Sequence, residues 1–325
     1  MKGSRKIRSS TIENYENLRD LLSAFSEAKK FELRIKILKN NKISREYKAE
    51  KKYWKEFYIR FTEFLYKDRD CYDNYVGSNI KLLKVFFNYL YSDLEMNIGQ
   101  FYKKFDVVME EIEILVLHQN QLQFLIHNKE FARQLTIRLE ETRDIFVFGC
   151  TVALRISDLL KLSKSNLEII DGKHYLRVTS GKTDAFTRML LPKYAVDIIN
   201  RYKHLENTLL PVTSKAQFNF DVKELISLAN FNDERIVKRH KRGVPVYLYK
   251  DPIRKIPFRL SDLVSSHTMR RTAITTLLCL KVPETVVRKI SGHAPNSKEF
   301  YKYVELSQKY MDEEVERAHS LLGKE

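Results

Sequence analysis

Six positions in the C-terminal half of the chain carry side chains suited to phosphoryl transfer: Arg155, Lys182, His267, Arg270, His293 and Tyr303. Arginine forks grip two oxygens of a phosphate at once, as a point-charged lysine cannot. A tyrosine oxygen can attack phosphorus, while lysine and histidine move protons to and from the oxygens involved. Together these residue types can break a phosphodiester without a metal. None of them means much alone. Arg155 with Asp158 is an ordinary i,i+3 pair at a helix start, and Lys182 in Ser180-Gly-Lys-Thr-Asp184 reads equally well as a solvated turn lysine. Gly181-Lys182-Thr183 lacks the glycine-rich run of a phosphate-binding loop.

Local contexts add more. Arg155 stands in Ala153-Leu-Arg-Ile-Ser-Asp158, and Arg270 in His267-Thr-Met-Arg-Arg-Thr-Ala-Ile-Thr275. His267 and Arg270, three apart, lie on neighbouring faces of one helical turn. Gly292-His293 ends a helical stretch over residues 284–291, glycine being the usual helix terminator. Tyr303 lies in Phe300-Tyr-Lys-Tyr-Val304, so Tyr301 competes with it as a nucleophile. Either tyrosine needs a cationic pocket, because its free pKa is near ~10.

The elements that hold these residues are mostly helical. Glycine and proline number 9 and 7 in 325 residues, too few breakers for an all-strand fold. Helical spacing links Tyr15, Leu18, Leu21, Leu22 and Phe25, then Trp54, Phe57, Phe61 and Phe64. A third helix, with Ser78 as its cap, is expected to bury Ile80, Leu83, Phe86, Phe87 and Leu90. These aromatic stripes are the core of a helix bundle. Residues 103–117 turn extended, which puts the junction between two domains, 1–108 and 109–325, in that stretch. Residues 174–191 read as two strands flanking the turn that carries Lys182, and Ser265-Ser266 caps the helix of His267.

Charge points to a partner. The net charge is +16, and residues 235–259 hold nine Lys or Arg against the single acid Asp251. Such imbalance inside a folded domain favours a polyanion, with Lys238, Arg239, Lys241, Arg242 and Arg271 as candidate contacts to DNA phosphates. No apolar run reaches the length of a membrane span, and the basic N-terminus lacks a signal core, so a cytoplasmic protein without membrane contact is expected. Cys71, Cys150 and Cys279 are unpaired in spacing and suggest reduced thiols, with no zinc site.

In order and context these motifs resemble the tyrosine recombinase (phage integrase) family, most of all integrases of Bacteroidetes-type mobile elements. Departures are Ala153 where the family usually has Gly, Met269 where it usually has Leu, and one extra residue between His293 and Tyr303. The resemblance implies a mainly α fold with a small β-sheet: a helical SAM-like core-binding domain, matched by residues 57–105, then an α+β catalytic domain. It implies that Arg155 and Arg270 clamp the scissile phosphate with His267 and His293 (a place held by His or Trp), Asp158 supporting Arg155. It further implies Tyr303 as nucleophile and Lys182 as general acid, with no cofactor or metal, since the phosphotyrosine bond conserves the energy for rejoining. Double-stranded DNA, a homotetramer on two sites, accessory DNA-bending or directionality proteins and a place at the bacterial nucleoid are implied as well. By the same analogy residues 305–322 dock on a neighbouring protomer. A type IB topoisomerase activity, or a DNA-binding regulator without catalysis, would use the same scaffold.

Overall fold

The structure, a computed structural model, describes residues 9–39, 45–179 and 186–322. It forms two compact units: residues 1–112 with 237–248, and residues 113–236 with 249–325. The change of pattern along the sequence suggested a junction at 108/109; the units divide after Ile112, and a hairpin from far downstream joins the first.

The first unit contains α1 (Ser9–Lys29), α2 (Arg45–Glu63) with a π-turn continuation at Phe64–Asp68, and α3 (Asp73–Ser92). Phe25, Phe57, Phe61 and Phe64 are all within 2% of full burial, and Phe57 stacks on Phe61 at 5.5 Å between ring centres. Each such side chain gains about 1.5–3 kcal/mol on leaving water, which is what holds so short a bundle together. Two expectations are corrected. α3 begins at Asp73, so Ser78 lies inside it; an acid in the first turn suits the positive end of the helix. Phe86 is exposed, because the inward stripe runs Val76, Ile80, Leu83, Phe87 and Leu90, leaving its neighbour turned away by one helical step. Gly77 is fixed by packing: a Cβ there would sit 1.9 Å from the carbonyl oxygen of Val108.

Residues 105–118 form neither helix nor strand. The second unit then runs α4 (Gln119–His127), α5 (Lys129–Gln134), α6 (Ile137–Val152) and α7 (Ile156–Leu159). A meander follows, β1 (Leu167–Ile170), β2 (Lys173–Thr179) and β3 (Phe186–Leu190), antiparallel in that order. Val178 faces Thr187, and Thr179 faces Phe186, in register across the β2–β3 pair. Next come α8 (Lys193–Arg201), α9 (Lys215–Leu228), β4 (Glu234–Arg235), β5 (Val237–Lys241), β6 (Val244–Leu248) and β7 (Phe258–Arg259). The chain closes with α10 (Leu260–Leu263), α11 (Ser266–Cys279), α12 (Glu284–Ser291) and α13 (Lys298–Leu322).

From Thr142 to Cys150 α6 is buried on all sides, and its neighbours include α8, α9 and α11. Over Ile145–Cys150 it is apolar around its circumference and has no amphipathic stripe to read. Gly149 lets α11 approach: a Cβ there would lie 2.3 Å from Sδ of the fully buried Met269. α13 is one unbroken helix along α11, with Ser307 buried and the Tyr310 ring 5.1 Å from that of His118. Ser307 and Tyr310 of α13 thus pack within their own chain. Among the described residues no helix is long and apolar enough to cross a membrane.

Candidate active site

The site is assembled where four helix ends meet. α6 stops at Ala153, whose φ of 53° and ψ of 20° are left-handed, and whose N–H still bonds Gly149 O at 3.2 Å. That conformation costs an L-residue about 1–2 kcal/mol, which is why glycine is favoured at such turns. The tight turn survives with alanine. It delivers Arg155 as the residue preceding α7, its carbonyl accepting the Asp158 N–H at 2.9 Å.

α11 supplies His267 and Arg270. Its start is secured by Thr268, whose Oγ1 accepts from Ser265 N at 3.1 Å, and by Asn219 of α9, which accepts from Ser266 N at 2.8 Å. Arg270 is 7% exposed, and its guanidinium donates to Ala153 O at 2.7 Å and to Ser291 O at 2.5 Å. Both acceptors are uncharged carbonyls. Burial first, and the charge of Arg155 second, pull its pKa down to about 10, partly offset by Tyr303 and Asp158. A buried cation held this way favours an anion beside it.

α12 ends at Gly292, with φ of 63°, and His293 N returns to Arg288 O at 3.0 Å. The helix spans the residues expected, because only the left-handed turn closes it. His293 contacts Ser291 Oγ through Nδ1 at 2.7 Å. Burial, then Arg270, Arg155 and Arg288, push its pKa down to about 4, so the ring is neutral. His267 is more open to solvent, yet partial burial and the charges of Arg271, Lys215, Arg270 and Arg155 also lower its pKa.

The sheet reaches the same place. Thr187 Oγ1 donates to Lys289 O at 3.0 Å, fastening β3 to α12. A crevice is lined by Arg155, Asp158, Val178, Thr187, Arg270 and Ser291, so the bases of the strands flanking Lys182 border the arginines. Lys182 itself lies outside the described residues.

Of the two tyrosines, Tyr303 is half-buried, its ring centre 6.0 Å from that of His293 and 6.3 Å from that of the fully buried Phe300. Tyr301 is 50% exposed, with the Arg288 guanidinium 4.8 Å from its ring centre. Arg288 also sits 3.9 Å from the Phe300 ring centre, fixing the first turn of α13.

The basic candidates divide. β5 and β6 form a two-residue hairpin, with Arg242 and Gly243 at φ of 54° and 77°, the left-handed pair such turns demand. Arg239 Nε bonds Glu110 at 2.8 Å, and the same carboxylate takes His240 N; Lys241 pairs with Asp70. Arg242 N and Gly243 N donate to Asp73 at 2.7 and 2.8 Å. Arg239 and Lys241 also lie over the Tyr72 ring. Acids of the first unit therefore already engage Arg239 and Lys241, and Arg242, though exposed, lies 4.0 Å from Glu63 and over the Tyr66 ring; the Lys238 side chain is exposed and Arg271 is half-buried beside His267. Ser291, Arg288 and Lys215 were missed in the sequence. Only the two-residue spacing of Ser291 from His293 could have drawn attention to one of them.

The fold is that of the tyrosine recombinases. Similar solved structures include a lambda integrase (residues 75–356) dimer bound to a COC′ core site, with a TM-score of 0.57 and 12% identity over 92% of this chain and 90% of that one. The Tn1549 transposon integrase in complex with right-end DNA matches with a TM-score of 0.56 and 14% identity over 96% and 95%. XerH recombinase on palindromic difH, in a post-cleavage complex, gives 0.56 and 14% over 79% and 71%. No family model and no curated protein matches the sequence.

Proposed function

We propose that this protein is a site-specific DNA recombinase that cleaves and rejoins strands through a 3′-phosphotyrosine intermediate. The observation carrying this reading is Arg270: a buried guanidinium held by two neutral carbonyls, with Arg155, His293 and Tyr303 around it. Donors fixed in a dry site stabilise the charge that builds on a pentacoordinate phosphorus better than water does, because they need not reorganise. Arg155 and Arg270 bind the non-bridging oxygens, and Asp158 orients Arg155. Tyr303 Oη forms the bond to phosphorus as the bond to the 5′ oxygen breaks, and Lys182 protonates that oxygen. The 5′ hydroxyl of a partner strand then reverses the step.

Double-stranded DNA is the substrate, and exchange between two sites calls for four protomers, one at each cleaved strand. The DNA complexes of lambda integrase, XerH and the Tn1549 integrase support this by analogy of fold. The net charge of +16 agrees with a polyanionic substrate.

The test is covalent capture on a nicked suicide substrate bearing the recombination site that flanks the gene. A protein–DNA adduct that survives denaturation is expected from the native chain and not from Tyr303→Phe. No adduct from the native chain, or an undiminished one from the variant, overturns the reading.

A further inference from the structure

Arg288 of α12 is a buried cation whose donors are not all used. It is 9% exposed, and among the described residues its Nη1 has no hydrogen-bond partner. The acid it meets, Glu284 one turn back on the same helix, stands 3.5 Å from Nη2, a long contact. A buried donor left without an acceptor lowers stability, and an apolar side chain of the same length would remove that loss. What the guanidinium does hold is a pair of rings. It lies 3.9 Å from the centre of Phe300 and 4.8 Å from that of Tyr301, where the negative face of an aromatic ring attracts a cation. Both rings belong to the first turn of α13.

That turn decides which tyrosine reaches the arginines. Phe300 and Tyr303 are three apart and share one face of α13, while Tyr301 is turned about 100° to the side of Phe300. Phe300 is fully buried in a cluster with Ala153, Ile274 and Val287, so its slot borders the turn that seats Arg270. Tyr303, on that face, lies within electrostatic reach of Arg270. Tyr301 is half exposed and sits where the N–H groups of a helix have no intrahelical acceptor and its end frays. The backbone there is tied by Ser297 N to Ala294 O and by Phe300 N to Ser297 O, both at 3.1 Å. Fraying of that turn would free Tyr301 to compete for the same phosphate. Resting on the recombinase reading above, we propose that Arg288 is a positioning residue that selects the nucleophile: its grip on the Phe300 and Tyr301 rings holds the Tyr301 hydroxyl outside and leaves Tyr303 as the tyrosine at the arginine pair. The unpaired Nη1 fits this role, because a guanidinium drawn fully onto a carboxylate would be pulled off the rings.

Covalent capture of the full chain on the suicide substrate, with each adduct mapped to its residue, tests this. Arg288→Met keeps the length of the side chain while removing the cation and its unmade bond, so it should fold at least as stably as the native chain. It should bind DNA as tightly, yet form adduct about tenfold more slowly at saturating DNA. Its adducts should lie on Tyr301 as well as on Tyr303. Arg288→Met combined with Tyr303→Phe should therefore still form an adduct, on Tyr301, where Tyr303→Phe alone forms none. Arg288→Lys, which restores a cation, should return the adduct to Tyr303. Phe300→Leu keeps the slot filled while taking one ring from the guanidinium, and it should release Tyr301 in the same way, which covers a failure of Arg288→Met to fold. Adducts on Tyr303 alone in these variants, at whatever rate, overturn the proposal, as does a native adduct on Tyr301. Absence of any adduct from the native chain defeats the recombinase reading and this inference together, whereas a native adduct on Tyr303 with no release in the variants defeats this inference only.

Discussion

The Arg270 guanidinium donates to the carbonyl of Ala153 at 2.7 Å, and Ala153 is the residue at which α6 turns left-handed, with φ of 53°. The turn that delivers Arg155 is thus the turn that seats Arg270. Two arginines distant in sequence are registered to each other through one strained peptide, with Gly149 giving α11 room to reach it.

Ala153 therefore carries opposing terms. Ala153→Gly relieves a left-handed penalty of about 1 kcal/mol and gives up a buried methyl of similar worth. Urea unfolding of this variant should fall within ~1 kcal/mol of the native chain. Ala153→Val, β-branched in the same conformation, should lose about 2 kcal/mol or more, together with covalent capture.

Arg270→Lys should not rescue function. A lysine cannot span both the Ala153 and Ser291 carbonyls, nor present a flat fork to a phosphate. Capture on the suicide substrate should drop by ~100-fold or more. Retention of near-native capture would mean that Arg270 does not hold the phosphate.

Tyr301→Phe should leave capture within a few-fold of native, because Tyr301 is half exposed and its ring stays under Arg288 without the hydroxyl. Mapping the adduct to its tryptic peptide and sequencing it decides between Tyr301 and Tyr303 independently of any variant.

His293 makes stability depend on acid. Its pKa falls from an ordinary 6.5 to about 4 in the fold, so between these values the unfolded chain binds more protons than the native one. Stability from this group is complete above about pH 6.5 and declines as pH falls towards 4. Melting temperatures measured across that window should decline less steeply in His293→Gln. An unchanged slope would remove His293 as the cause.

The β5–β6 hairpin carries cations already paired with acids, Arg239 and Lys241, beside the exposed Lys238. Glu110→Ala strands Arg239 and the His240 N–H, and should cost about 2–4 kcal/mol while speeding hydrogen exchange over residues 237–248. Lys238→Ala should leave stability unchanged and weaken DNA binding, with a salt dependence shallower by about one phosphate contact. Equal effects of the two variants on stability would contradict this division.

How much of this was legible beforehand follows from the range of the forces. The end of α12 at Gly292, the strands around the Lys182 turn and the aromatic core of the first unit are set by local backbone preference and helical period. The start of α3 was misplaced because its first turn is stabilised from outside, by Tyr66 and the hairpin N–H groups on the Asp73 carboxylate. The charge run at 235–259 was visible as charge, whereas its pairing was hidden, since Glu110 and Asp70 lie more than a hundred residues away.

By itself, the sequence determined the kinds of side chain available, their order, and the mainly helical frame that carries them. Only the tertiary structure decided which tyrosine stands beside His293, which cations are already engaged by acids, and that Ser291 and Ala153 hold Arg270. Those outcomes turn on donors and acceptors meeting within 3 Å across separations such as the 117 residues between Ala153 and Arg270, a distance over which no local pattern is informative.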